Sequence, residues 1–367
     1  MDHLFVGIMA VTVDNVIMYC IGLFLILLAV KTDVSPAFFL PFGFGTILAN
    51  LPFAPILTET SPVAFLLKGG LLLEALSLIL LLMLGAMSDF SCFLRRPSSF
   101  IYSIPANLGL FAVLFAATAL GFTEKQAAAI GILGSIHGPA AIYVATQFSQ
   151  GLLAPLALLA YLGPLLLPVL QPPLIRLLTT PKERCLKINP MAEERPVSRR
   201  TKIFFSVGVV LLIGVTAPFA LMMVCMLLFG NLLRESGLLI LDSAEPKNKW
   251  MRLSTGLLGF LIGVTMGAGS FLRPEVAMLI GLSILAIVID TASGVLCIKM
   301  MNRVFAKKVN PMLGVCGISY IPVAARIVAD MALQEDKENC ILPYAQSIHS
   351  AAGVTAVIIG GILLACL

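Results

Sequence analysis

The polar residues of this chain are gathered into short connectors between long apolar blocks. The blocks run over 15–30, 63–87, 101–121, 151–175, 203–233, 276–297 and 341–367. Several approach or exceed the ~20 residues a helix needs to cross a bilayer. Adding the interrupted apolar segments between them predicts about ten to twelve transmembrane or re-entrant segments. An open sheet edge is not tolerated in lipid, so the pattern predicts an all-α integral membrane bundle.

Composition agrees with that pattern. Hydrophobic residues make up 59% of the chain and charged residues 12%, against about a quarter charged in a typical soluble domain. That is too little polar surface for a water-soluble globule. The net charge of +5 comes from basic residues in connectors rather than on one face or tail, so no nucleic-acid partner is expected. The longest polar segment, 179–202, carries seven Lys or Arg against three Glu, which predicts a cytoplasmic linker. It divides the chain into a first membrane unit, 1–178, and a second, 203–367. The N-terminus lacks a positively charged leader and meets Asp14 early, so no cleavable signal is expected. The eight cysteines are scattered without CxxC pairing and read as small core hydrophobes.

One stretch breaks the apolar run from within. In "GILGSIHGPAAI" (131–142), Gly134, His137, Gly138 and Pro139 interrupt a segment that should span. Aligned at an offset of 183 residues, 124–141 and 307–324 share Lys125/Lys308, Gly131/Gly314, Gly134/Gly317, Pro139/Pro322 and Ala141/Ala324. Composition alone would give roughly one or two identities. Phe44-Gly45-x-x-Leu48 echoes Phe229-Gly230-x-x-Leu233, and Gly85-Ala86-x-Ser88 echoes Gly267-Ala268-x-Ser270. The halves therefore read as copies. Matched Gly/Pro breaks in two repeats point to a substrate or ion site, because a broken helix frees backbone carbonyls and presents its termini.

The ordered set "LPFGFGTILANLP" (40–52), "GAMSDF" (85–90), "GILGSIHGPAAI", "PVLQPPLIRLLTTPKER" (168–184), "LLFGNLLRESG" (227–237), "DTASGVLCIKMMN" (290–302) and "NPMLGVCGISYIPVAARIV" (310–328) resembles the beta subunit of the biotin-dependent sodium-translocating decarboxylases. That family includes the membrane subunits of oxaloacetate, methylmalonyl-CoA and glutaconyl-CoA decarboxylases. The resemblance implies two inverted repeats with discontinuous helices in a bacterial inner membrane. It also implies biotin carried on a partner subunit, a biotinylated carboxyltransferase or biotin carrier, and a small membrane gamma-type subunit. A soluble subunit would move the carboxyl group onto biotin; this chain would decarboxylate carboxybiotin and export Na+, supplying a cation site, a proton and the coupling motion.

Site residues carried over from the resemblance are Asn310, Gly314, Ser319 and Arg326, with every spacing kept. Asn310 and Ser319 offer oxygen ligands suited to a hard cation, and Gly314 permits close backbone approach. Gly138 and Pro139 of the first break count with them as ion-binding candidates. Arg326 in an apolar segment calls for an anionic partner, either a substrate carboxylate or Asp290, unless it snorkels toward the polar interface near Asp330.

The first half departs from the family. Its pattern Gly-Gly-Ala-Asp-Gly-Pro reads here Gly134-Ser135-Ile136-His137-Gly138-Pro139, so His137 stands in place of the key acid. The family tyrosine of the next span falls at Gly163, beside Tyr161, and the usual Asn before Ala-Gly-Val is Ser350, preceded by His349. A neutral imidazole offers one nitrogen and an imidazolium repels Na+. Three explanations follow. The coupling ion is H+, relayed by His137; or the acid comes from Asp89, Glu74 or Asp290; or coupling has been lost, with His137 a hydrogen-bonded core residue. Two other classes stay open: a stand-alone cation/proton or organic-anion carrier of the same architecture, and a non-catalytic membrane anchor. No phosphate loop, HExxH helix or nucleophile elbow competes.

Overall fold

The computed structural model describes residues 6–32, 35–53, 61–67, 70–187, 197–239, 249–305, 308–318 and 321–365. Among these residues every regular element is helical. The principal helices are α1 (Val13–Lys31), α2 (Pro36–Ala49), α3 (Leu71–Met87), α4 (Leu108–Ala119), α5 (Glu124–Gly131), α6 (Gly138–Phe148) and α7 (Leu153–Leu178). After the connector come α8 (Arg199–Thr216), α9 (Leu221–Ser236), α10 (Lys249–Val264), α11 (Pro274–Val304), α12 (Val323–Glu335) and α13 (Leu342–Ala365). Among the described residues five helical stretches are long and apolar enough to span: Val13–Lys31, Ser98–Ala119, Gln150–Leu178, Pro274–Val304 and Leu342–Ile362. Shorter apolar helices, Pro36–Ala49 and Leu71–Met87, pack among them.

Several of the predicted continuous blocks are divided, each for a local reason. The block 203–233 is two helices, since α8 stops at Thr216 and Pro218 opens a 3-10 turn before α9. Proline lacks the N–H that would continue the ladder. In the block 63–87, Gly70 adopts a left-handed conformation (φ 71°) ahead of α3. Pro105 likewise opens a 3-10 turn, Pro105–Asn107, between the helix Ser98–Ser103 and α4.

Helices cross between the halves at glycines. A Cβ added at Gly263 would lie 2.3 Å from the Phe42 carbonyl oxygen, so α2 and α10 pass backbone against backbone. The same holds for α3 and α9, where a Cβ on Gly230 would lie 1.8 Å from the Leu82 oxygen. Lipid tails give apolar side chains no reason to leave them, so helices in membranes associate through close packing of small residues. An asparagine pins each crossing. Asn50 donates to the Met266 carbonyl (2.9 Å) and accepts from the Ala268 N–H (2.8 Å); Asn231 donates to the Ser88 carbonyl (3.1 Å). The "GAMS" and "GAGS" segments are thus each held by a helix from the opposite half.

Candidate functional site

The first interruption is built from three pieces. Helix α5 ends at Gly131, a 3-10 turn covers Ile132–Ser135, and α6 starts at Gly138 with Pro139 in its first turn. Proline is suited there because its missing N–H has no helical partner to lose. Between them Ile136 is left-handed (φ 46°, ψ 43°), a conformation a β-branched residue holds only at a cost of order 1–3 kcal/mol. His137 is 3% exposed, and its carbonyl accepts the Ala141 N–H at 2.9 Å. Helix α7 closes over the break. A Cβ on Gly138 would meet the Tyr161 ring at 2.6 Å, and one on Gly163 would meet Ile136 at 2.5 Å. Tyr161 in turn stacks on Phe38, ring centroids 3.7 Å apart. Helix α13, which bears His349, packs against α6. The two positions at which the chain departs from the resemblance, His137 and the His349–Ser350 pair, therefore lie on elements that meet.

The second interruption shares the 3-10 turn and the helix that follows it, but residues 308–310 ahead of the turn are not helical. A 3-10 turn spans Pro311–Val315, and α12 resumes at Val323. Gly314 rests on Gly294 of α11, where a Cβ would lie 1.9 Å from the Gly294 oxygen. Asn310 is wholly buried. Its Oδ1 accepts the Met312 N–H (3.1 Å) while its amide donates to the carbonyls of Arg184 (2.8 Å) and Leu186 (3.3 Å). Both ends of this predicted cation ligand are thus engaged with backbone. Ser319 lies outside the described residues. Arg326 is on the exposed face of α12, in a groove with Asp330, Leu333 and Cys340. It forms no hydrogen bond or ion pair with Asp290, which is wholly buried.

Asp290 occupies the middle of α11 and meets the start of α4. One carboxylate oxygen accepts the Gly109 N–H, and the other has no hydrogen-bond partner among the described residues. Two further oxygens on the same two elements share that state: Asn107 Oδ1, two residues before Gly109, and Thr291 Oγ1, next to Asp290 on α11, both on side chains at most 1% exposed. Asn107 sits at the N-cap of α4 without a side-chain capping bond. The break bearing His137 lies directly on this turn, since a Cβ on Gly134 would be 2.5 Å from the Leu110 nitrogen.

The other acids belong to the periphery. Asp89 accepts the Ser91 N–H (2.9 Å) and lies 3.8 Å from Lys202, which pairs with Glu235 at 3.0 Å. Burial alone would raise the Asp89 carboxyl; the Ser91 bonds and the Arg234 and Lys202 charges outweigh it and hold the group below its ordinary value. Glu74 stands in the first turn of α3, partly buried.

Sequence reasoning missed the way the polar connector is fastened to the membrane helices. Arg184, 8% exposed, pairs with Glu335 of α12, donates to the Thr179 carbonyl (2.8 Å), and offers its own carbonyl to Asn310 and Asn339. Lys299 of α11 binds Glu183 at 3.1 Å. The sequence signal was the "PKER" turn, whose Thr180–Glu183 capping box is legible; its long-range partners are not.

Discontinuous helices, a buried carboxylate and spans crossing through glycine define a multi-pass α-helical membrane protein of the ion-translocating kind. The family model described as the Na+-transporting oxaloacetate decarboxylase beta subunit matches residues 14–367. The chain is 34% identical to the methylmalonyl-CoA decarboxylase subunit beta of Propionigenium modestum over 382 residues, covering 98% of this chain and 96% of the relative. It is 34% identical to the glutaconyl-CoA decarboxylase subunit beta of Acidaminococcus fermentans (98% and 95% covered), and 32% identical to the oxaloacetate decarboxylase beta chain of Haemophilus ducreyi (98% and 96%). The chain belongs to the beta-subunit family of the Na+-transporting decarboxylases.

Proposed function

We propose that this chain is the membrane subunit that releases CO2 from carboxybiotin delivered by a partner and uses that step to export Na+. The family match across residues 14–367 carries the reading. Its elements are two inverted repeats, 1–178 and 203–367, joined by the cytoplasmic connector 179–202 in a bacterial inner membrane. Reciprocal crossing of the halves, α2 on α10 and α9 on α3, supports the repeat. The partners are a biotinylated carboxyltransferase or carrier and a small gamma-type membrane subunit.

Biotin supplies the carbon chemistry when its carrier docks. The groove beside Arg326 fits a carboxylate: its exposed guanidinium offers two parallel N–H donors. The breaks supply the movable segments that would couple carboxybiotin turnover to the ion path. The relation of α12, which bears Arg326, to the second break and to the anchored connector gives a route by which docking would reach the ion path.

A second reading has its own observation. Helix α6, which starts directly after His137, packs against α13, which bears His349, and imidazoles suit proton relay rather than Na+ binding. In that reading the exported ion is H+. The test is copurification followed by turnover. A biotinylated protein should copurify with the chain, and carboxybiotin decarboxylation by the complex should rise with added NaCl but not with KCl. Absence of a biotinylated partner favours a stand-alone carrier; turnover indifferent to Na+ favours the proton reading.

A further inference from the structure

We propose that Asp290, Asn107 and Thr291 form the binding site for the transported Na+, so that a carboxylate on α11 replaces the acid missing at residue 137. The inference rests on the function proposed above. Its geometric basis is the turn Pro105–Asn107 and the first turn of α4. An N-cap asparagine ordinarily accepts the N–H two or three residues ahead. Here the Gly109 N–H goes to Asp290 instead, and the Asn107 amide oxygen is left without a donor among the described residues. Asp290 Oδ2 and Thr291 Oγ1 lack partners likewise, and all three side chains are at most 1% exposed.

Burying such oxygens without a partner is costly, most of all for a carboxylate. Native proteins rarely leave buried polar groups without a partner unless something binds them. What would satisfy them is set by their chemistry. All are oxygens, two are acceptors only, and just one bears a full negative charge. That set matches a hard cation of single charge; a divalent ion would want further carboxylates, and a soft ion nitrogen or sulfur. The helix packing fixes the approach. A Cβ on Gly109 would lie 2.6 Å from Asp290 Oδ1 and 2.7 Å from the Ala286 oxygen, and Ser293 ties α11 to the Pro105 carbonyl at 2.6 Å. Because Gly134 rests on Gly109 and Leu110, a shift of the segment carrying His137 would be felt at the site.

Equilibrium binding of radioactive Na+ to the full-length chain in detergent, with carboxybiotin decarboxylation measured on the same preparation, tests the site. Saturable binding that K+ does not displace is expected, with Asp290→Asn weakening it at least about tenfold, equal to about 1.4 kcal/mol. Asn107→Ala and Thr291→Val should each weaken it severalfold, and they carry the test if Asp290→Asn does not fold. Wild-type protein that binds no Na+, or variants that bind it as the wild type does, would overturn the site. Decarboxylation with unaltered Na+ binding in all three variants would sink the site alone. Na+ binding lost as expected, in a chain that supports no carboxybiotin turnover with any biotinylated partner, would sink the decarboxylase reading alone.

Discussion

Replacing Asn310 with alanine separates a structural clamp from a cation ligand. The side chain makes three bonds: it donates to Arg184 (2.8 Å) and Leu186 (3.3 Å) and accepts from Met312 (3.1 Å). In Asn310→Ala the Arg184 carbonyl keeps its second donor, Asn339, at 3.2 Å. The buried Met312 N–H has no such substitute. An orphaned buried donor costs about 1–3 kcal/mol and a lost neutral bond about 1 kcal/mol, so the variant should lose about 2–4 kcal/mol. Asn310→Asp keeps the acceptor but turns both donations into repulsion between oxygens, and should lose a similar amount. Thermal unfolding in detergent reads the global effect. Limited trypsin digestion reads the local one, since Lys187 stands where the released connector would become accessible. Wild-type melting and digestion of both variants, with Na+ binding lost, would refute the clamp and make Asn310 a ligand.

Further expectations follow from single contacts. Gly314→Ala puts a Cβ 1.9 Å from the Gly294 oxygen, far inside van der Waals distance, and should cost at least about 1–3 kcal/mol, read as a lowered unfolding midpoint; a midpoint equal to wild type would mean that α11 and the 3-10 turn are not in contact. Gly138→Val should displace the Tyr161 ring from Phe38 and reduce turnover; turnover equal to wild type would show that ring packing to be without weight. At the connector, burial alone would raise the Glu183 carboxyl, but bonds from Thr180 and the Lys299 ammonium hold it below its ordinary 4.5. A depressed value gives stability that is present above about pH 4.5 and lost as pH falls through the folded value. Glu183→Gln should flatten that acid-side loss in a melting-temperature series; an unchanged acid limb would show the pair with Lys299 to be without weight.

The all-helical membrane fold was legible because lipid leaves the backbone few alternatives. Both interruptions were legible too, since Gly and Pro act on the helix ladder locally and Pro139 and Pro322 fall in register. Divisions at Gly70, Pro105 and Pro218 follow the same rule but were hidden inside long apolar runs. Hydropathy does not say which face of α12 Arg326 occupies, which leaves open an anionic partner in the apolar interior or a head snorkelling toward the interface near Asp330. It lies on an exposed face, with Asp330 in the same groove. Asn310 was read as an ion ligand, while its hydrogen bonds run to the connector, a partnership more than a hundred residues distant in sequence. Asp290 was recognised as a candidate acid by its apolar setting. Its pairing with Gly109 depends on two helices passing at a glycine, which spacing along one helix does not encode.

The central claim is that turnover at this chain moves Na+ across the membrane. The direct measurement is carboxybiotin decarboxylation by the complex in sealed vesicles, following Na+ flux and internal pH together, for wild type, Asp290→Asn and His137→Ala. The account predicts Na+ flux tied to turnover in wild type and in His137→Ala, and lost in Asp290→Asn. A change of internal pH with no Na+ movement, abolished by His137→Ala and indifferent to Asp290→Asn, would contradict it.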